Sequence, residues 1–304
     1  MKNRVAFIVP YFGKLTSYFS LFINSVANKK IDVFFFSDCS FPGELPQNIK
    51  IIPKTYNEIK TLYSEKIGFN VALDNPYKLC DLKPTLGLVF QEYISDYEFW
   101  GSTDTDLVVG NYDNFINDEL LNGIDFYSCI KEYVSGSFFI MRNNFDCNNL
   151  FRKSKDLIKV LSTKQYLGFD ECGGKYYDQL KAGQSIFDLK PEIQSFTEIL
   201  FLESRIGLRT LFTNTILEPK GFVYTVIDQK GVIYLNKEYL LIHFIYLKAR
   251  YYFKIYPAIN TSVYYINSLG NFRYKPTPTK VLFSKNMFNG VMKKIEINLK
   301  KIKL

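Results

Sequence analysis

Two aspartates one residue apart, Asp104 and Asp106, sit in the run WGSTDTDLVVG at residues 100–110, between the aromatic stretch Tyr97-Glu98-Phe99-Trp100 and a second apolar run. The aromatic stretch is β-prone, and Gly101-Ser102-Thr103 is expected to end it, which puts both carboxylates at the carboxyl end of a buried strand. In open α/β sheets ligands bind at that edge. Two carboxylates held there by rigid backbone suit a hard divalent cation that keeps coordination positions open for phosphate oxygens. The competing reading is a solvated turn, because the bare tripeptide has a high false-positive rate. If the two carboxylates crowd each other, Asp104→Asn or Asp106→Asn should leave stability unchanged or raised by relief of repulsion.

Hydrophobic periodicity shows which elements must position these residues. Residues 5–9 are continuously apolar, Pro10-Tyr11-Phe12-Gly13 breaks the run, and Leu15, Phe19, Phe22, Ile23 and Val26 recur at helical spacing. A second strand follows at 31–36 and ends in Ser37-Asp38. Strand, helix and parallel strand form a right-handed βαβ unit whose loops gather at one edge of the sheet. Residues 11–13 and Asp38 should therefore lie side by side, near Asp104 and Asp106. Further strands are expected at 49–52, 125–129 and 138–141, and helices at 56–67, at 83–94 opened by Pro84, and at 111–121. Helices at 144–161, 176–182 and 196–205 should then alternate with short strands at 209–213, 222–226 and 232–235. No repeat or low-complexity linker intervenes, which predicts one α/β core over residues 1–270 and a C-terminal appendage over 271–304.

The 304 residues are 47% hydrophobic and 22% charged, an ordinary globular composition. The apolar run 5–10 is shorter than a signal h-region, and no stretch is long enough to span a bilayer, so a cytoplasmic protein is expected. Five cysteines, at 39, 80, 129, 147 and 172, share no metal-type or redox-type spacing and read as reduced thiols. A single histidine, His243, leaves zinc sites and Ser-His or Cys-His nucleophiles poorly supported. Neither GxxxxGK[ST] nor GxGxxG occurs, which argues against a P-loop NTPase and a dinucleotide-binding Rossmann domain. A metal is then the economical way to hold a diphosphate.

Several segments together resemble a bacterial glycosyltransferase of the GT-A fold, of a surface-polysaccharide type. They are VAFIVPYFG at the start, FFFSD closing the second strand, YKLCDLKPTLG, FWGSTDTDLVVG and SGSFFIMRN, and the resemblance covers about residues 1–250. It implies a GT-A-like, Rossmann-type mixed sheet flanked by helices. It also implies a manganese or magnesium ion on Asp104 and Asp106 that holds the diphosphate of a nucleotide sugar. Pro10, Tyr11, Phe12, Gly13 and Asp38 would contact the nucleoside, and a late histidine, here His243, would be a further metal ligand. Imidazole suits manganese better than magnesium, although a lone histidine in an apolar stretch is more often a hydrogen-bonded core residue. Lys83, at the head of its helix, is read as a phosphate or donor-sugar ligand, against a plain surface lysine. Asp170 or Glu171 is read as the general base that takes the acceptor proton, against acids that cap the next helix. Ser135 to Ser137 would line the sugar pocket or simply turn the chain into a strand.

The expected function is metal-dependent transfer of a sugar from a nucleotide-sugar donor to a saccharide or lipid-linked saccharide acceptor. The alternative is a nucleotidyltransferase or a non-catalytic nucleotide-binding protein of the same fold. Nucleic acid is not an expected partner, because residues 1–272 hold 29 basic and 29 acidic residues and no DNA- or RNA-reading module. The excess positive charge lies in residues 273–304, where nine Lys or Arg oppose Glu296 alone. From Phe288 on, Val291, Met292, Ile295, Leu299 and Ile302 recur at helical spacing with lysines between them, the pattern of an interfacial amphipathic helix or of one packed on the core. A peripheral position on the cytoplasmic membrane leaflet is expected. Removal of residues 285–304 should reduce co-sedimentation with anionic vesicles, and equal binding by both forms would refute the membrane reading.

Overall fold

The computed structural model describes residues 3–41, 43–220, 225–228, 231–249, 253, 255, 264–267 and 270–272. The basic tail over 271–304 falls outside these residues apart from Asn271 and Phe272, so its amphipathic helix is not described. In chain order the strands are β1 (Val5–Pro10), β2 (Ile31–Ser37), β3 (Ile49–Pro53), β4 (Phe99–Thr103), β5 (Leu107–Val109), β6 (Phe126–Ser128), β7 (Phe138–Arg142) and β8 (Thr210–Phe212). They continue with β9 (Ile216–Leu217), β10 (Thr225–Asp228), β11 (Gly231–Tyr234), β12 (Lys237–Tyr239), β13 (Leu241–His243), β14 (Tyr264–Asn267) and β15 (Gly270–Phe272).

The chain forms two compact units. The first comprises Met1–Leu15, Ala27–Asp104 and Ile116–Asn214. Its seven-stranded mixed sheet runs β3-β2-β1-β4-β7-β6-β8, with β3, β2, β1 and β4 mutually parallel and β7 antiparallel to β4 and β6. Strands β1, β2 and β4 are almost wholly buried, and β1 and β2 read as near-continuous apolar runs, as buried parallel strands do. The helix Tyr56–Ile67 is fixed at its start by a Thr55–Glu58 capping box and at its end by Gly68 in the left-handed region, and it buries Ile59, Tyr63 and Ile67. Trp100 lies fully buried at the centre, its indole N–H donating to Asn148 Oδ1 at 2.7 Å.

Strand β4 ends at Thr103, within the expected Gly101-Ser102-Thr103 segment, its register with β7 closing on the Thr103↔Phe138 pair. Four expectations about helices are corrected. The first helix begins only at Phe19. The stretch 83–94 is not one helix but a 3₁₀ turn (Lys83–Thr85) and two short helices, Leu86–Val89 and Gln91–Ile94. Asn143 Nδ2 donates to the carbonyls of Ile94 and Tyr97, satisfying groups that a longer helix would have paired internally. The stretches 111–121 and 144–161 break in the same way, the second at Asn149 and at Ser154, whose hydroxyl donates to Gln194 O.

The second unit comprises Thr16–Val26, Thr105–Phe115 and Thr215–Leu304. It contains an antiparallel five-stranded sheet, β12-β11-β10-β14-β15, and a three-stranded sheet, β5-β13-β9. Leu21, Val108, Leu217, Ile227, Val232, Ile242, Phe244 and Leu247 belong to its core. Among the described residues no helix is long and apolar enough to cross a membrane.

One fully buried ion pair fixes the loop that approaches Asp170. Lys78 Nζ donates to Asp81 Oδ2 at 2.7 Å and to the carbonyls of Val160 and Gln165, both at 2.8 Å. The Asp81 carboxylate in turn accepts the backbone N–H of Leu167 at 2.8 Å and of Phe169 at 2.7 Å. Removing one partner strands the other charge without solvent. Asp81→Ala is therefore expected to cost about 3–5 kcal/mol, and the paired Lys78→Met/Asp81→Leu replacement markedly less. Urea unfolding of the two variants checks this, and equal losses would show that the charge pair is not the source.

Candidate metal centre

Strand β4 delivers Asp104. Its backbone N–H donates to Ser137 O at 2.9 Å, which ties the residue to the turn that enters β7. Lys83 Nζ donates to Asp104 Oδ1 at 2.7 Å and to Gly136 O at 2.7 Å, and stands 4.0 Å from Asp170 Oδ2. Lys83 is thus committed to the carboxylate cluster, not solvated. Burial works against its charge, but Asp104, Cys80 and Asp170 outweigh that and hold its pKa well above the ordinary lysine value.

Asp170 and Glu171 lie in the turn that follows Gly168, and neither caps the next helix, Tyr177–Lys181, whose cap position is Tyr176 without a side-chain bond. Asp170 is 2% exposed and accepts the Tyr166 hydroxyl at 2.9 Å. Glu171 accepts the Tyr177 hydroxyl at 2.5 Å and the Gly136 N–H at 3.3 Å. Burial, reinforced by Glu171, pushes the Asp170 carboxyl well up, and burial also raises Glu171. Glycine is required at position 136: a Cβ there would stand 2.5 Å from Asp170 Oδ2 and 3.0 Å from Glu171 Cγ. The Ser135 and Ser137 hydroxyls, 2.9 Å apart, bond to each other.

The first loop lies at the same sheet edge, because β1 is parallel to β4. Pro10 ends β1, and Tyr11 N–H donates to Phe36 O of β2 at 3.0 Å. The Phe12 ring meets Tyr56 at a centroid distance of 5.2 Å. Gly13, with φ +112°, presents its carbonyl to Cys39 Sγ at 2.8 Å. Asp38 follows β2 directly and is exposed. The βαβ unit therefore sets residues 10–13 next to residues 38 and 39.

In the second unit Asp106 precedes β5, and β13 pairs antiparallel with that strand, His243 opposite Leu107. Phe244 N–H donates to Asp106 O at 2.9 Å, continuing the ladder. His243 Nε2 stands 3.3 Å from Asp106 Oδ2, and His243 Nδ1 stands 3.0 Å from Glu218 Oε1. Lys248, at the end of the short helix Ile245–Lys248, also donates to Asp106 Oδ2. Burial opposes ionisation of Asp106, but His243 and Lys248 prevail and lower its pKa.

Only Thr105 separates Asp104 from Asp106, so the backbone itself holds the two carboxylates close. One ligand atom from each of Asp104, Asp106 and His243 falls within a group spanning 4.8 Å. Two carboxylate oxygens and one imidazole nitrogen make a donor set that fits a divalent ion of the manganese class. Glu218 and Lys248 have no motif signal in the sequence, since each joins the group only through the pairing and position of β9 and β13.

These partners reverse the expected sign for Asp106. Its carboxylate is matched by an imidazole and an ammonium, so Asp106→Asn should lower stability by about 1–3 kcal/mol, as loss of a charged hydrogen-bond partner does. If the donor group holds a divalent ion, the same variant should also weaken Mn2+ binding, by at least about tenfold. Denaturant unfolding and isothermal titration check the two effects. Unchanged stability would restore the repulsion account.

No curated protein matches the chain. A family model described as a family of unknown function, DUF6625, matches residues 7–273, a span that holds Lys83, Asp104, Asp106, Asp170, Glu171, Glu218, His243 and Lys248. The match extends over most of the sequence, and the chain belongs to that family of unknown function, DUF6625.

Proposed function

We propose that this chain is a metal-dependent glycosyltransferase that moves a sugar from a nucleotide-sugar donor to a saccharide or lipid-linked saccharide acceptor. The observation that carries the reading is the Asp104, Asp106 and His243 donor group at the carboxyl edge of β4. The resemblance of the same segments to GT-A glycosyltransferases supports it, as does the first loop at that edge beside Asp38. A manganese or magnesium ion held there would neutralise the charge that develops on a departing diphosphate. The remaining chemistry belongs to the protein's own groups. Residues 10–13 and Asp38 bind the nucleoside. Lys83 holds Asp104 in place through its hydrogen bond to Oδ1.

Of the two candidate bases, Glu171 is the better placed. It is only partly buried, whereas Asp170 is sealed beneath the Tyr166 hydroxyl. A carboxylate whose pKa burial has raised is a stronger proton acceptor. Glu171 would take the proton of the acceptor hydroxyl as its oxygen bonds to the anomeric carbon. The bond from that carbon to the nucleoside diphosphate breaks, and the diphosphate leaves with the electron pair. Asp170 then serves as a positioning residue for Lys83 and the 136–137 turn.

A panel of nucleotide sugars, incubated with Mn2+, Mg2+ or EDTA, tests the reading. Release of nucleoside diphosphate from at least one donor is expected, supported by Mn2+ and abolished by EDTA and by Asp104→Asn. Consumption of free nucleoside triphosphate with release of pyrophosphate would instead make the chain a nucleotidyltransferase. Ligand-induced thermal stabilisation without turnover of any donor would make it a binding module.

A further inference from the structure

Glu218 carries no signal in the sequence, yet its place follows from strand register. β13 pairs parallel with β9 through Leu241↔Ile216 and Ile242↔Leu217. One further step along both strands sets Glu218 beside His243. Ile242, Leu217 and Val108 face the apolar core, so alternation sends His243 and Glu218 to the other face of this small sheet. There Glu218 Oε1 lies 3.0 Å from His243 Nδ1, with both side chains largely buried at 16% and 6% exposure.

An imidazole has two ring nitrogens, and the partner of one decides what the other can do. When Nδ1 keeps its proton and donates it to a carboxylate, Nε2 is left with a lone pair and the ring is held at a fixed angle. Here Nε2 is the atom that faces Asp106, 3.3 Å from Oδ2. Glu218 is not itself part of the donor group spanning 4.8 Å, which comprises Asp104, Asp106 and His243. Its carboxylate meets that group at His243 Nδ1.

The geometry points to Glu218 as the positioning residue of the cation site: its carboxylate holds His243 Nδ1–H so that Nε2 presents its lone pair to a divalent ion beside Asp104 and Asp106. This assignment rests on the metal reading of the preceding subsection, and its test separates the two.

The full chain is titrated with Mn2+ alone, followed by calorimetry and by electron spin resonance, with echo modulation from a coordinated imidazole nitrogen as the direct signature. Loss of an outer-shell partner typically weakens metal affinity about 10- to 100-fold, and that range is expected for Glu218→Ala together with a diminished nitrogen signal. Glu218→Gln keeps an acceptor at the same reach and should stay within about fivefold of the wild type. Glu218→Asp keeps the charge but withdraws it by one methylene and should bind about as weakly as the alanine variant. In a His243→Ala background, which abolishes the nitrogen signal, Glu218→Ala should change Mn2+ affinity less than about twofold.

Wild-type affinity and nitrogen signal in Glu218→Ala would overturn the assignment. So would the reverse order, with the aspartate variant intact and the glutamine variant weak, because charge rather than orientation would then be responsible. Should the alanine variant fail to fold, the glutamine and aspartate variants decide between the same two outcomes. A wild-type chain that takes up no Mn2+ overturns the metal reading itself, a separate result.

Discussion

Negative charge held out of water is the constraint around which both units are built. In the first unit Asp104, Asp170 and Glu171 gather about one ammonium, Lys83, and burial makes a bare Asp170 or Glu171 carboxylate expensive. The fold answers with donors of graded strength. Lys83 goes to Asp104, tyrosine hydroxyls go to Asp170 and Glu171, and the Gly136 backbone contributes its N–H to Glu171 and its carbonyl to Lys83. A side chain at position 136 would occupy the space that these groups need. In the second unit Asp106 is matched by His243 and Lys248, and Glu218 by His243. The acids are therefore held in fixed directions, which is what binding a small, highly charged ligand without reorganisation requires.

Strands β1 and β2 were legible because a buried parallel strand writes itself as a near-continuous apolar run, broken in IDVFFFS only by Asp32 and the closing Ser37. The helix Tyr56–Ile67 was equally plain, its capping box being local chemistry. The breaks at 83–94 and 144–161 were not, because their causes are distant: Asn143 reaches the Ile94 carbonyl and Ser154 reaches Gln194 O. Apolar spacing reports which residues face the core, and says nothing of side chains that intercept backbone groups from elsewhere.

At the site, Asp104 and Asp106 were visible because the context that gives them meaning lies within ten residues. His243 drew attention as the single histidine. Glu218 and Lys248 could not, since their roles depend on the register of β9 with β13 and on the turn after β13. The reversed sign expected for Asp106→Asn has the same origin. Repulsion from a sequence neighbour could be read off directly, whereas an ammonium 142 residues further along could not.

The second unit is drawn from Thr16–Val26, Thr105–Phe115 and Thr215–Leu304, with the first unit occupying the stretches between. No single cut in the chain separates one unit from the other. During synthesis from the amino terminus all strands of the seven-stranded sheet have been made once Phe212 has emerged, while β13 and Lys248 are still to come. Asp106 must wait for partners more than a hundred residues away, and contacts of such separation form late. A nascent or prematurely terminated chain thus carries the crowded acids of its first unit without the histidine that would let it capture an ion. On the proposed reading, ion capture would mark a chain whose translation has run past residue 243, and unfinished copies would be silent rather than half-active.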